Sequence, residues 1–427
     1  MKHSAIAFTA LAVLLAMGCQ KTETKTISVN VKVDETKLRE AGIDSPETYE
    51  VKLSNFSTGA SFQAKTENGI ATAAGLVPGV YNVTVGASQN MGGFSYTIAG
   101  AQSNVSLLKD GDEVVVSVDA VKEAALVFKE IYYTGFSYTP IDPDTGKPAV
   151  DKETGKPATT TYFRDQFYEI YNNSTEVAYA DSLCIATIVY ASYDYSIIYD
   201  WPIENQDQYV FASVIWQIPG EGKTYPIQPG ESIIIAQWGT NHKAQNLTEG
   251  NAPVDLSGAE FEAVEKETTA FGGIVLTDNP AVNMKKAVNA LGYSAPQWLT
   301  PVSGAGYIIF KPSKALKDEN YLIATNNDFS GKAREVLISD VIDAVHSVSD
   351  ETGMMHRGLP QILDAGGIWC SGTYVGESIA RKIKETRPDG TIVYQDSNNT
   401  TNDFEVRKDP QLRRHGAKVP SWNTWLK

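Results

Sequence analysis

Residues 162–183 constrain the fold of this 427-residue chain more than any other stretch. The first half of the stretch predicts a strand that is apolar on both faces. The residues of the two faces are Phe163, Phe167 and Tyr171 on one side, and Tyr168 and Ile170 on the other. Such a strand belongs in the middle of a sheet that is covered on both faces. A polar turn at residues 172–174 and a second apolar stretch follow, which together favour a β-sandwich.

The start of the chain predicts export and lipid attachment. Residues 1–19 comprise a basic start, an apolar run over 5–17, and then Gly18 and Cys19. The run is shorter than the roughly 20 residues that span a bilayer. A small residue directly before the cysteine resembles a bacterial lipoprotein signal, which implies that Cys19 is lipid-modified after cleavage. The alternative is an ordinary secretory signal with an incidental cysteine. Residues 20–26 then form a polar tether.

The net charge restricts the partners of the chain, and the positions of its cysteines restrict its disulfide bonding. The formal net charge of −15 argues against nucleic acid as a partner, because nucleic acid requires a basic surface. Cys184 and Cys370 lie far apart in the sequence and both have apolar neighbours. They are therefore interpreted as two buried free thiols, with a disulfide as the alternative in an oxidising compartment.

Residues 27–122 are predicted to form the first domain. Alternating apolar residues over 27–33 indicate a strand, and a turn at Pro78 and Gly79 leads into another strand. The motif GLVPGVYNV at residues 75–83 resembles the closing part of prealbumin-like β-sandwich modules on bacterial surface proteins. The resemblance implies a spacer or docking platform.

Residues 123–427 are predicted to form a second domain, which carries several short motifs. These are KEIYYTG at 129–135, DQFYEIYNN at 165–173, IQPGESIIIA at 227–236, GESIARK at 376–382 and DSNNTTNDF at 396–404. They resemble the bacterial versions of the lamin-tail immunoglobulin-like domain. More narrowly, the chain is similar to a Bacteroidota family of envelope lipoproteins of unknown function that carry this domain. The resemblance implies no shared catalytic residues.

The expected fold is mainly β, with two immunoglobulin-like or prealbumin-like β-sandwiches, the second carrying large α/β insertions. Two helices are predicted in these insertions. One begins near Pro280 and ends at Gly292, and the other covers residues 331–347, where apolar residues recur at helical spacing.

A loop rich in aromatic residues is the candidate binding surface of the second domain. Its members are Tyr193, Tyr195, Tyr199, Trp201 and Tyr209. Exposed aromatic rings bury a large area at low entropic cost, which suits recognition. The alternative is that the same rings form the core of the sandwich. Ser182, in the sequence Asp-Ser-Leu, matches a short O-glycosylation pattern used in that phylum.

The sequence contains one candidate pair of catalytic residues and no candidate metal or cofactor site. The histidines and cysteines lack metal-site spacing, and no nucleophile elbow or phosphate-binding loop occurs. Glu130 and Glu169 lie on neighbouring predicted strands among aromatic residues, which makes them the candidate glycosidase-type carboxylate pair. The favoured interpretation is that both carboxylates are structural and that the protein is not an enzyme.

These observations predict a lipid-anchored outer-membrane protein that faces the cell surface. The family resemblance implies a binding role beside a TonB-dependent receptor, in the uptake of a glycan, a metal chelate or haem. The alternative is a structural or adhesive envelope protein that holds other envelope proteins and binds no small molecule.

Overall fold

The computed structural model describes residues 25–426, with gaps at 92–93, 123, 176, 190–200, 245–252, 266–267, 270–273, 291–296, 299, 317–320, 327–328 and 356–357. The chain divides into two compact units. The first contains the described residues up to Ala87 together with Ala99–Asp119. The second contains Ser88–Ile98 and Ala120–Lys427.

The strands of residues 27–122 form two sheets. They are β1 Ile27–Asp34, β2 Glu50–Asn55, β3 Ser61–Lys65, β4 Ile70–Leu76, β5 Gly79–Met91, β6 Phe94–Leu107, β7 Glu113–Ser117 and β8 Asp119–Lys122, with the helix α1 Thr36–Glu40 after β1. The sheet orders are β4-β1-β7 and β3-β2-β5-β6-β8. Residues along β1, β2 and β7 alternate between buried and more exposed positions, as expected for strands with one face in a core.

The remaining elements belong to the second unit. The strands are β9 Leu126–Tyr132, β10 Phe136–Tyr138, β11 Thr160–Tyr162, β12 Phe167–Asn172, β13 Ala178–Tyr179, β14 Cys184–Ile188, β15 Tyr209–Gln217, β16 Pro226–Ile227, β17 Ser232–Ala236, β18 Phe261–Glu262, β19 Thr268–Thr269, β20 Val275–Leu276, β21 Val282–Asn283, β22 Lys285–Asn289, β23 Gly306–Phe310, β24 Leu322–Asn326, β25 Phe329–Leu337, β26 Val341–His346, β27 Ser378–Arg381, β28 Ile383–Thr386, β29 Ile392–Tyr394 and β30 Phe404–Arg407. Helix α2 covers Thr400–Asp403, and 3-10 turns cover Gln206–Gln208, His242–Ala244, Ile338–Asp340, Glu351–Met355 and Arg414–Gly416.

Two large sheets face each other in the second unit. The first has the order β21-β18-β17-β12-β9-β27-β30, and the second has the order β24-β25-β15-β14-β23-β26, with β22 also paired to β15. Ile170 and Ile233 of the first sheet share one core with Trp216 and Tyr307 of the second. The strand predicted in residues 162–183 is confirmed as β12, which lies at the centre of the first sheet and is buried along its whole length.

A buried ionic contact joins β27, the last strand but one of the first sheet, to β26, an edge strand of the second. The Arg381 guanidinium on β27 donates to the Asp343 carboxylate on β26 and, at 2.7 Å, to the Phe128 carbonyl on β9. The Phe128 N–H in turn donates to Asp343 at 2.6 Å. Burial raises the pKa of Asp343, and the Arg381 charge opposes that shift. The motif residue Arg381 therefore ties the two sheets together.

The mainly β class is confirmed, but the two helices predicted in the insertions are wrong. The stretch expected to be helical after Pro280 forms β21 and β22, and β22 pairs with β15. Residues 331–347 form most of β25, a short 3-10 turn and β26. Their apolar residues are largely β-branched, so the same spacing also suits two strands with a turn between them, and pairing with neighbouring strands decides the outcome.

Candidate functional site

Glu130 and Glu169, the carboxylate pair indicated by the sequence, lie directly opposite each other on β9 and β12. Both side chains are fully buried. The Lys129 ammonium donates to both oxygens of Glu169 at 3.0 Å, and the Ser232 hydroxyl donates to one of them at 2.6 Å. The Ser378 hydroxyl donates to Glu130 at 2.8 Å. Neighbouring strands of the same sheet thus supply donors to both carboxylates.

The C-terminal segment, defined here as residues 409–426, supplies further donors to the pair. The Arg413 backbone N–H donates to Glu169 at 3.0 Å. The next residue, Arg414, places its guanidinium on both oxygens of Glu130, at 2.9 and 3.2 Å. Arg413 adopts a left-handed φ of 52°, which is rare outside glycine and shows that the surrounding contacts hold the turn in place.

A third buried glutamate completes what we call the glutamate cluster, which consists of Glu130, Glu169 and Glu260. The Arg413 guanidinium donates to Glu260 at 2.6 Å, and the Asn423 amide donates to the same carboxylate oxygen. Three carboxylates of the sheet region therefore bind backbone and side-chain donors of one irregular segment, and that segment is held at several points along its length.

Burial and ion pairing shift the pKa values of this cluster in opposite directions. Burial raises the pKa of Glu260, and the charge of Arg413 opposes that shift. Burial would lower the pKa of Arg414, but its hydrogen bond to Glu130 and the charge of that carboxylate outweigh burial, so the pKa is raised. Ion pairing thus outweighs burial at Arg414, whereas burial outweighs ion pairing at Glu260.

The geometry favours a structural role for the carboxylate pair. A glycosidase pair requires one carboxyl that can reach the glycosidic oxygen and another that can reach the sugar carbon or a water. Here Glu130 and Glu169 both face donors of the protein, including those of the C-terminal segment. The arrangement stabilises the position of the chain end.

The aromatic residues predicted to bind a ligand fall into two groups. Three of them, Tyr193, Tyr195 and Tyr199, lie outside the described residues. Trp201 is 7% exposed, and its ring stacks on that of Phe211 at 4.5 Å and 16°. Trp201 therefore contributes to the packing of a small apolar cluster. Tyr209 opens β15 and is partly exposed.

The predicted glycosylation site, Ser182, is exposed, whereas the two described cysteines are buried. Ser182 is exposed in a turn with a φ of 60°, whereas Asp181 is buried and accepts three backbone N–H groups. Cys19 lies outside the described residues. Cys184 and Cys370 are both buried free thiols, and burial raises the pKa of each to about 12.

Sequence reasoning missed a buried carboxyl at one end of the first sheet. Asp165 is fully buried, and neither of its oxygens has a partner at normal hydrogen-bond geometry in the described part of the chain. Burial raises its pKa to about 8, although its own backbone N–H and the Tyr132 hydroxyl oppose the shift. At the same end, the Tyr162 hydroxyl lies 2.8 Å from Nδ1 of His242, whose pKa burial lowers to about 4. The sequence signal that could have identified Asp165 is an acidic residue next to a strand that is apolar on both faces.

Within the described ranges, no group of three or more His, Cys, Asp or Glu side chains is placed to hold a metal ion. None of the helices in that same part of the chain has the length and apolar character needed to cross a membrane.

The two sheets that face each other define a mainly β protein of the sandwich class. Its C-terminal segment is held in place by buried ion pairs and hydrogen bonds. A family model described as "Protein of unknown function (DUF4876)" matches residues 228–411. The chain is also similar to a solved structure, a DUF4876 family protein from Bacteroides thetaiotaomicron, with 32% identity and a TM-score of 0.57 over 93% of this chain and 99% of that chain. The chain therefore belongs to the DUF4876 family. A comparison with curated proteins gave no match.

Proposed function

We propose that this protein is a lipid-anchored lipoprotein of the outer membrane that faces the cell surface and binds a partner or ligand without catalysis. Lipid attachment at Cys19 follows from the signal pattern of residues 1–19. We also propose that the first unit is a prealbumin-like module and the second a lamin-tail-like sandwich with insertions, in keeping with the sequence motifs.

One observation carries the preference for binding over hydrolysis. The best carboxylate pair for a hydrolase is engaged by Lys129, Ser232, Ser378 and the C-terminal segment. A carboxylate pair in this position has a structural role. We therefore place the recognition surface elsewhere on the second unit. A partner of the TonB-dependent receptor class is expected, in uptake of a glycan, a metal chelate or haem.

The test is a gentle detergent pull-down of the tagged protein from outer membranes, with mass spectrometry of the proteins that co-purify. A stoichiometric TonB-dependent receptor is the expected result. A Cys19→Ala variant is the matched control, because it removes the acyl attachment site and should lose outer-membrane recovery. Protease shaving of intact cells should remove the wild-type protein, and a protein untouched by shaving would contradict surface exposure.

The second candidate is a structural or adhesive envelope protein. Its support is the division of the chain into two β units, an architecture that suits spacing and docking. Recovery of other envelope proteins in place of a receptor would favour this alternative.

A further inference from the structure

Lys129 is a buried lysine of the second unit, and among the described residues its ammonium donates hydrogen bonds to Glu169 alone. Its Nζ lies 3.0 Å from both oxygens of that carboxylate. Lys129 lies on β9 and Glu169 on the neighbouring strand β12, and their side chains are 2% and 0% exposed. The ring of Tyr394 lies 5.7 Å from the ammonium. The pair is thus an amine and a carboxylate in direct contact, shielded from bulk water.

The same distances place the amine nitrogen close to the carboxyl carbon of Glu169. With C–O bonds of about 1.2 Å, an atom 3.0 Å from both oxygens lies at most about 3.4 Å from that carbon. Reacting atoms held about 3–3.5 Å apart are near enough for attack, and fixing them in place corresponds to an effective molarity on the order of 10⁵–10⁸ M. Because both residues lie on paired strands inside a sheet, the contact is fixed by the fold.

Each oxygen of Glu169 also has a second donor. The Ser232 hydroxyl donates to Oε1 at 2.6 Å, and the Arg413 backbone N–H donates to Oε2 at 3.0 Å. A backbone N–H at this distance stabilises the negative charge that develops on a carbonyl oxygen under attack. A hydroxyl in contact with the other oxygen can carry a proton to it. The site therefore contains a nucleophile, an oxyanion donor and a proton relay around one carboxyl carbon.

Burial favours the uncharged form of the amine. Desolvation lowers the pKa of Lys129, although the charge of Glu169 opposes that shift. Transfer of one proton along the hydrogen bond from the ammonium to the carboxylate gives a neutral amine and a neutral carboxylic acid, which cost less to bury than two ions. The neutral amine is the nucleophilic form of lysine. An amide of the two groups would place no charge in the interior.

We propose that the side chains of Lys129 and Glu169 become joined by an intramolecular amide bond, which cross-links β9 to β12. The Lys129 nitrogen attacks Cδ of Glu169, and the Arg413 N–H stabilises the oxyanion on Oε2. The Ser232 hydroxyl passes a proton from the nitrogen to Oε1, the Cδ–Oε1 bond breaks, and this oxygen leaves as water. One of the three ammonium protons stays on the amide nitrogen and two leave in the water, so the atoms and electrons balance without a further reactant.

The experiment is mass spectrometry of a tryptic digest of the protein purified from its native host. The peptide that contains Lys129 should be covalently joined to the peptide that contains Glu169, and the joined species should be lighter than the two together by one water molecule. Trypsin should not cleave after Lys129, because the amide removes the charge that trypsin recognises. Lys129→Arg keeps a cation beside Glu169 but lacks the amine, so it should give two separate peptides.

A second ion pair of the same chain is the internal control. The Lys286 ammonium lies 3.0 Å from an oxygen of Glu265, but the two side chains are 22% and 51% exposed. Water solvates both ions of such a pair, so it should remain uncoupled. A cross-link at Lys286 and Glu265 as abundant as that at Lys129 and Glu169 would show that coupling arises during handling, and would overturn the proposal.

The wild-type digest decides the proposal without any variant. Separate, unmodified peptides carrying Lys129 and Glu169 would overturn it, whatever the stability of Lys129→Arg. Ser232→Ala should slow the cross-linking of newly synthesised, pulse-labelled protein about a hundredfold, and an unchanged rate in a variant with native tryptophan emission would refute the proton relay. The bond goes beyond the proposed function, and the pull-down does not depend on it, so the two can fail separately.

Discussion

Replacing Asp165 with asparagine should change how the stability of the second unit depends on pH. Asp165 has an ordinary pKa of 3.8, and burial raises it to about 8 in the folded protein. Between these values the folded state holds a proton that the unfolded state has released. The folded state therefore binds more protons, and the free energy of unfolding falls as pH rises. The contribution of Asp165 to the free energy of unfolding is fully present below its unfolded pKa of 3.8, and it is lost as the pH rises towards 8.

The size of the effect follows from the same two pKa values. One pKa unit corresponds to about 1.4 kcal/mol, so the loss from pH 5 to pH 7.5 is about 3 kcal/mol. Asparagine has nearly the same shape and does not titrate in this range. The free energy of unfolding of Asp165→Asn, taken relative to wild type, should thus rise by about 3 kcal/mol over that interval.

Urea unfolding monitored by tryptophan fluorescence measures this difference directly. All seven tryptophans lie within Ala120–Lys427, so their emission reports the second unit alone. Asp207→Asn is the matched control, because Asp207 is exposed and its replacement should leave the pH dependence as in wild type. Parallel pH profiles for Asp165→Asn and wild type would refute the reasoning, since they would mean that Asp165 keeps its ordinary pKa when folded.

Three further predictions follow from the same contacts. Arg414→Met should lower the free energy of unfolding by about 3 kcal/mol in the same fluorescence assay, because it leaves the Glu130 charge buried without its ion-pair partner; an unchanged urea midpoint would contradict this. Trp201→Ala should cost about 3 kcal/mol through lost packing on Phe211, and a stable variant that no longer recovers its partner in the pull-down would instead support the binding interpretation. Ser182→Ala should lower the intact mass of protein from its native host by one glycan, and an identical glycan mass in both proteins would rule out that site.

The sequence predicted those parts of the fold that depend on local patterns. The apolar residues on both faces of the first half of residues 162–183 were enough to place β12 in the middle of a sheet, because a strand buried on both faces has no other stable location. The region of residues 331–347 was misread, since Val336, Val341 and Val345 satisfy both a helical spacing and two strands. Only pairing with distant strands distinguishes the two, and such pairing is not visible in a window of one chain segment.

The glutamate cluster was predictable only in part. Its acidic members could be found, because Glu130 and Glu169 interrupt strands that are otherwise apolar and aromatic. Their partners could not, because Arg414 is 284 residues from Glu130 along the chain. A useful signal was nevertheless present: two adjacent arginines lie close to the C terminus, and buried arginines require counter-charges.

The cluster explains how an irregular segment keeps a single position on a sheet. The described residues 409–426 contain the 3-10 turn Arg414–Gly416 and no strand, and Lys418 forms an isolated parallel β-bridge with Glu231 beside β17. Buried ion pairs add little net stability compared with apolar packing, but a buried charge without a partner costs about 3–5 kcal/mol. A shift of the segment by one residue would move Arg413 and Arg414 away from Glu260 and Glu130 together. Two such penalties approach the whole stability of a typical domain, so the charges reinforce the register that the backbone bridge at Lys418 sets at a single point.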